Sequence, residues 1–289
     1  MSQHIQAIDL SVKLVSQWIP NRQSRSYKGN YGRLLLLGGN QQMGGAIQMS
    51  ANAAINAGAG LTTVATAPIN FPALHANRPE AMVLDRYDYQ ALTDQMAKNE
   101  IILVGPGLGR DTQDWQEIYQ ALMSIDQRKL VILDGDGITL LADQPASIYD
   151  LAKHHTLVLT PHPGEWSRLS QGKIPLTDNQ AICQWANNHR LYLILKSEAS
   201  RIFLPQGDYY YQNTAGNPGM ATGGMGDTLA GMVAGLAGQI QPLEQALALA
   251  TYLHSYIGDQ LYQDHYVVLP TMIADQISYY LKQFEQDNK

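Results

Sequence analysis

Six short apolar runs set the pattern of this chain: residues 34–37, 61–65, 101–104, 130–133, 156–159 and 192–195. Each is strand-sized and lacks the strict polar alternation of a half-exposed strand. Each therefore reads as a strand covered on both faces. Between them lie helical patterns over 46–57, 114–124, 164–169 and 179–188. This β-then-α rhythm predicts an α/β fold with a mostly parallel central sheet and helices on both faces. After Lys196 the rhythm changes. Residues 201–204 and 209–211, joined by Pro205-Gln206-Gly207-Asp208, predict a β-hairpin. Three helices are predicted after it, over 227–237, 243–262 and 271–284. No linker, repeat or low-complexity segment interrupts the chain, so one domain spanning 1–289 is expected.

The bulk composition narrows the function classes. The chain has 289 residues, and a hydrophobic share of 45% supports a large core. Only 15% of residues are charged and the net charge is −6, which argues against a nucleic-acid surface. An anionic substrate stays compatible, because one local nest of donors can outweigh the global charge. The single cysteine, Cys183, excludes an intrachain disulfide and points to a reducing compartment. It lies in an apolar-periodic stretch and reads as a buried helix residue rather than a nucleophile. The N-terminal stretch lacks the basic and apolar regions of a secretory signal. No stretch approaches the roughly 20 apolar residues of a membrane span. A cytoplasmic protein without membrane or nucleic-acid partners is expected.

Ligands of open α/β sheets bind at the carboxyl ends of the strands, and here those ends are rich in glycine. Gly38-Gly39-Asn40 follows the first run, and Met43-Gly44-Gly45-Ala46 opens the next helix. Gly105-Pro106-Gly107-Leu108-Gly109 follows the third run, and Asp134-Gly135-Asp136-Gly137 the fourth. Thr160-Pro161-His162-Pro163-Gly164-Glu165 follows the fifth. The spacing in 105–109 departs from the dinucleotide fingerprint, and a plain tight turn remains an alternative. No Walker-A sequence occurs, which argues against a P-loop NTPase. Asp134 and Asp136 leave two roles open, metal ligation and turn hydrogen bonding. His162, fixed between two prolines, reads as an exposed ligand contact. His254 sits on an apolar helix face, where a satisfied core histidine is the plainer reading. Lys196 ends a buried strand, where it either snorkels or reaches a phosphate.

The segment 219–238 carries the strongest chemical signal. Gly223, Gly224 and Gly226 run directly into Asp227 and a helix of small apolar residues. Such glycines let backbone N–H groups approach an anion closely. The helix N-terminus adds partial positive charge at the same spot. A carboxylate inside an anion-attracting nest fits a phosphoryl transfer in which the acid takes a proton from the acceptor. A plain helix N-cap aspartate would need no glycine cluster before it.

Gly224-Met225-Gly226-Asp227 at a helix start resembles the active-site signature of the ribokinase-like superfamily. More narrowly, the chain resembles the ATP- or ADP-dependent NAD(P)H-hydrate dehydratases. The matching stretches are 28–32, 38–46, 57–61, 104–109, 159–165 and 217–231, with 160–165 and 217–227 the most diagnostic. The resemblance implies a ribokinase-like fold and an enzyme that repairs the S-epimer of hydrated NADH or NADPH, using ATP or ADP with Mg2+. It implies that Asp227 is the catalytic base and contacts the substrate, together with Ala46, Gly107 and His162. It assigns the nucleotide to Lys196, Ser197, Glu198, Ala199 and Ser200, with Gly226. It further implies a homotetramer.

Two stretches depart from the family pattern. The usual Lys-Gly-Ala-His-Thr is Lys196-Ser197-Glu198-Ala199-Ser200 here, which keeps the lysine and adds an acid. The usual Asp-Ala-Asp-Ala-Leu-Asn is Asp134-Gly135-Asp136-Gly137-Ile138-Thr139, which keeps both acids. Two other functions would use the same residues: a ribokinase-like small-molecule kinase that releases a phosphorylated product, and a non-catalytic nucleotide sensor.

Overall fold

The computed structural model describes residues 5–287. Its strands are β1 (Gln6–Asp9), β2 (Arg33–Leu37), β3 (Leu61–Thr66), β4 (Met82–Asp85), β5 (Ile101–Val104), β6 (Leu130–Leu133), β7 (Thr156–Leu159), β8 (Tyr192–Leu195), β9 (Arg201–Phe203) and β10 (Tyr209–Gln212). They form one sheet in the order β1-β10-β9-β8-β7-β6-β5-β2-β3-β4. Only β9 runs antiparallel to its neighbours. The six expected strands form the parallel body, and the predicted hairpin is β9 and β10. Residues 1–4 and 288–289 of the expected single domain lie outside the described residues.

The apolar runs are strands because both their faces are covered. Leu34 and Leu36 point into a core shared with the helices Gly44–Asn56, Met225–Ala237, Leu243–Tyr262 and Pro270–Asp287. Leu35 and Leu37 point into the opposite core, with the helices Tyr89–Lys98, Thr112–Met123, Pro145–His154 and Asn179–His189. Each fully buried leucine is worth roughly 1.5–3 kcal/mol over an exposed one, which holds these runs between two helical layers. Cys183 is buried on the Asn179–His189 helix, as expected, and burial pushes its thiol pKa up.

Several elements are absent from the sequence-based expectation. β1 and β4 are the sheet edges, and Met82 of β4 is largely exposed. The helices Phe71–Asn77, Tyr89–Lys98, Asp136–Ala142 and Pro145–His154 also appear, and Asp136 opens the third of them.

The small residues of 46–57 bring a helix close to another helix. On the Met225–Ala237 helix, a Cβ added at Gly231 would stand 2.1 Å from the Ser50 carbonyl oxygen, and one at Gly235 2.7 Å from that of Ala54. The Ser50 hydroxyl donates to the Asp227 carbonyl at 2.8 Å. The glycine stripe thus serves packing, and the packing fixes the first turn that carries Asp227.

From β2 the chain moves one way along the sheet to β3 and β4, then returns to β5 on the other side of β2. That reversal opens a crevice at the carboxyl ends of β2 and β5. The loops leaving these strands are stitched together: Gly39 N–H donates to the Pro106 carbonyl at 2.9 Å and Asn40 N–H to that of Gly107 at 2.7 Å.

Candidate active site

Asp227 is the third residue of the Met225–Ala237 helix, and its side chain caps nothing. Gly224 holds the N-cap position with φ of 95°, a left-handed geometry that favours glycine. This removes the N-cap explanation for Asp227. No protein acceptor among the described residues meets the N–H groups of Gly223, Gly224, Met225, Gly226 or Asp227. These amides belong to the first turn of a 13-residue helix and carry its partial positive charge.

Two clefts meet at this turn. The first, of about 570 Å³, is lined by Asp227 with Ala46, Gly107 and His162, and by Asp136, Glu165, Arg110 and Arg168. All four residues expected to contact the hydrated cofactor therefore come together. Gly107 is required there: its φ is 61°, and a Cβ would stand 2.4 Å from the Met43 carbonyl oxygen. His162 is half-exposed and caps the Pro163–Leu169 helix, its Nδ1 accepting from Gly164 N–H at 2.9 Å. Its Nε2 stands 3.3 Å from Glu165 Oε1. Burial and the Lys196 charge lower the His162 pKa, so the ring is neutral, with Nδ1 the acceptor and Nε2 bearing hydrogen.

The second cleft, of about 510 Å³, is lined by Lys196, Ser197, Glu198, Ser200 and Gly226, together with Ala215, Met220, Met225, Leu229 and His254. Of the expected nucleotide residues, Ala199 lies in the same turn but does not line the cleft. The turn between β8 and β9 closes on itself: Ser197 N–H donates to Ser200 Oγ at 3.2 Å, and Ala199 N–H to Ser197 Oγ at 3.2 Å. Of the expected nest, Gly226 lines the cleft, whereas Gly224 packs against Met49 and Pro270. A Cβ on Gly223 would meet nothing within 4 Å.

A buried ion pair stands between the clefts. Lys196 Nζ donates to Asp134 Oδ1 at 2.7 Å, and the Thr160 hydroxyl also donates to Asp134. Burial works against the ammonium, but Asp134 and Glu165 outweigh it and raise its pKa, so Lys196 stays charged. A Cβ on Gly226 would sit 3.1 Å from Lys196 Nζ; glycine keeps the path between ammonium and open amides clear. Asp227 has its pKa pushed up to about 6, by burial first and then by Asp134, with Lys196 opposing. Glu165 is pushed up to about 7, mainly by burial.

Asp136 accepts from Arg110 Nε at 3.1 Å and from Gly109 N–H at 2.9 Å. Both aspartates of this turn are thus engaged by cations. No group of three or more His, Cys, Asp or Glu side chains among the described residues could cage a metal ion. The side chains present fit a Mg2+ held by nucleotide phosphates and water, not one held by the protein.

Known proteins place this arrangement in a family. A family model described as NAD(P)H-hydrate dehydratase matches residues 34–279. The chain belongs to that family. An ADP-dependent (S)-NAD(P)H-hydrate dehydratase of Enterococcus faecalis is 44% identical over 96% of this chain and 94% of its own length. The crystal structure of a ribokinase-like superfamily protein, also from Enterococcus faecalis, superposes with a TM-score of 0.87 at 42% identity over 97% of both chains. The ADP/ATP-dependent NAD(P)H-hydrate dehydratase of Bacillus subtilis, co-crystallised with ATP and Mg2+, gives a TM-score of 0.81 at 26% identity, over 95% of this chain and 98% of that one. The fold is ribokinase-like, as the glycine signature implied.

The dehydratase cleft also contains residues that sequence reasoning passed over. Glu165 belongs to the quoted 160–165 motif, but nothing in that motif signals that its carboxyl is buried. Arg110 and Arg168 bring positive charge into the first cleft. Thr160 holds Asp134 from below. A roomier groove of about 690 Å³ lies around Arg22 and Gln239. It sits at the C-terminal ends of the Gly44–Asn56 and Met225–Ala237 helices, away from the glycine turns. No helix of the described residues is long and apolar enough to cross a membrane.

Proposed function

We propose that this chain dehydrates the S-epimer of hydrated NADH or NADPH, restoring the reduced cofactor, with ADP or ATP as phosphoryl donor. The observation that carries the reading is the junction at Gly226-Asp227. One residue borders the cleft assigned to the nucleotide, and the next borders the cleft assigned to the hydrated cofactor. The terminal phosphorus and the substrate hydroxyl would therefore meet at one helix start.

Hydroxide is a poor leaving group from the hydrated ring, and phosphate a good one. Asp227 takes the hydroxyl proton as the oxygen attacks the terminal phosphorus of the nucleotide, breaking the bridging P–O bond and releasing AMP from ADP, or ADP from ATP. A carboxyl with pKa about 6 is mostly ionised at neutral pH yet basic enough to assist, and such help is typically worth about 10²–10⁴-fold. The open amides of the first helical turn and the Lys196 ammonium receive the charge of the transferred group. Mg2+, when bound with the nucleotide, would neutralise the phosphates. The ring nitrogen lone pair then expels phosphate, which leaves with the proton held by Asp227. Loss of a proton from the neighbouring ring carbon restores the double bond.

We take ADP as the preferred donor, because the relative at 44% identity is ADP-dependent by name. The cytoplasmic location, the single domain and the homotetramer implied by the resemblance belong to the same proposal. The test is to mix hydrated NADH with the protein, Mg2+ and either ADP or ATP. Dihydronicotinamide absorbance should return with one phosphate released per cofactor, faster with ADP. A stable phosphorylated product without recovered absorbance would make the chain a kinase instead.

A further inference from the structure

Arg168 lies on the Pro163–Leu169 helix, one turn beyond Glu165, and lines the Asp227 cleft. Its Nη1 donates to the Thr139 hydroxyl at 3.3 Å. Thr139 lines the same cleft and stands where the family pattern has asparagine. No carboxylate pairs with Arg168 among the described residues. The other arginine of this cleft differs, because Arg110 is paired with Asp136 at 3.1 Å. A guanidinium carries five N–H donors in a fixed fork. Arg168 is exposed, and one long bond to a hydroxyl leaves most of its donors open to a ligand. The fork matches the oxygens of a phosphate, which it can hold through two parallel bonds. A place in the last helical turn also lets its charge favour the helix dipole, but that role needs neither Thr139 nor the cleft.

The hydrated cofactor is a dinucleotide whose pyrophosphate is an anion. Asp136, Glu165 and Asp227 line the cleft it would enter. A cation without a carboxylate partner is what admits an anion among such acids. The Arg168 charge is also felt at His162, which shares the cleft with the base. One ribose separates the pyrophosphate from the reacting ring, whereas the 2′-phosphate of NADPH lies a whole nucleoside further on. We propose that Arg168, held by Thr139, clamps the pyrophosphate of the hydrated cofactor, so that the site takes dinucleotides in preference to phosphate-free ribosides. The proposal rests on the reading that this cleft holds the hydrated cofactor.

Steady-state kinetics at saturating ADP and Mg2+ test it, with hydrated NADH, hydrated NADPH and hydrated dihydronicotinamide riboside, which has no phosphate. Arg168→Gln should raise KM for both dinucleotides about tenfold, the lower end of what a hydrogen bond to a charged group is worth, with a much smaller change in kcat. Its affinity for the riboside, read as KM or as an inhibition constant against hydrated NADH, should stay within about twofold of that of the unmodified protein. An equal loss on the riboside would mean that Arg168 only shapes the cleft, and overturns the proposal. So does an unmoved KM, or a loss confined to hydrated NADPH, which would assign the residue to the 2′-phosphate. The unmodified protein supplies an arm that needs no variant to fold. With added KCl its affinity for hydrated NADH should fall more steeply than its affinity for the riboside, and parallel curves overturn the proposal. In each of these cases turnover of hydrated NADH by the unmodified protein leaves the proposed function standing. An unmodified protein that turns over no hydrated NADH with either ADP or ATP would overturn that function and this proposal together.

Discussion

The two clefts that meet at Gly226-Asp227 are built from opposite materials. The cleft of Asp227 is crowded with titratable groups: Asp136, Glu165, His162, Arg110 and Arg168. The cleft of Lys196 is walled largely by apolar side chains, Ala215, Pro218, Met220, Ala221, Met225 and Leu229, and Lys196 and Glu198 are its charged members. The first has the composition of a place where protons move and the second that of a place where a flat base is held. Lys196 and Asp134 stand at the partition, and their charges reach both sides. A proton-transfer site and a binding site can thus share one helix start because its carboxyl, Asp227, faces the polar side, where Glu165 gains basicity as well.

The sharpest way to break this division is Asp227→Asn. The amide keeps the shape and removes the base. Turnover of hydrated NADH should fall by about 10²–10⁴-fold, while the melting temperature and the ADP dissociation constant hold. Parallel losses of activity, nucleotide binding and stability would show that the two clefts are not functionally separate.

Lys196→Met acts on the partition itself. It leaves Asp134, 2% exposed, without its cation and beside Asp227 and Glu165. Breaking a buried pair from one side typically costs about 3–5 kcal/mol, and Thr160 alone remains to satisfy Asp134. Chemical denaturation should register that loss, and ADP binding should weaken as well. An unchanged unfolding midpoint would mean that water reaches Asp134 and that the partition is not dry.

The same contrast explains what was legible in the sequence. The central strands were readable because burial on both faces forces a continuous apolar run. β1 and β4 were not, because an edge strand such as Gln6–Asp9 carries mostly exposed side chains. The glycine-to-Asp227 turn was readable because its chemistry is local: left-handed Gly224, open amides and a helix start follow one another in the chain. The Lys196–Asp134 pair was not, since 62 residues separate its members and either could have had another use. Asp134, left open between metal ligand and turn residue, is an ion-pair partner. The buried state of Glu165 arises only when distant elements close over it, so no local pattern announces it, whereas the apolar helix face around His254 did point to burial.

The smallest expected effect is the pH dependence of stability, and Glu165→Gln isolates it. The Glu165 carboxyl rises from 4.5 unfolded to about 7 folded, and Asp227 from 3.8 to about 6. A folded value above the unfolded one means that the native state holds the proton more tightly. The stability these groups contribute is therefore fully present below about pH 4 and is lost as pH rises through 6 and 7. The buried rings of His155 and His254, lowered by burial, work in the opposite direction below about pH 6.5, in variant and unmodified protein alike. The difference between the two proteins cancels them. From about pH 5.5 to pH 8 the unmodified protein should lose a few degrees of melting temperature relative to Glu165→Gln. Over the same interval kcat/KM of the unmodified protein should climb as Asp227 gives up its proton, and level off above about pH 7. Activity and this part of stability thus move against each other because one feature, carboxyls buried in the polar cleft, drives both. A melting difference that stays flat with pH would show that Glu165 titrates as an exposed carboxyl does, and that the polar cleft is wetter than its packing implies.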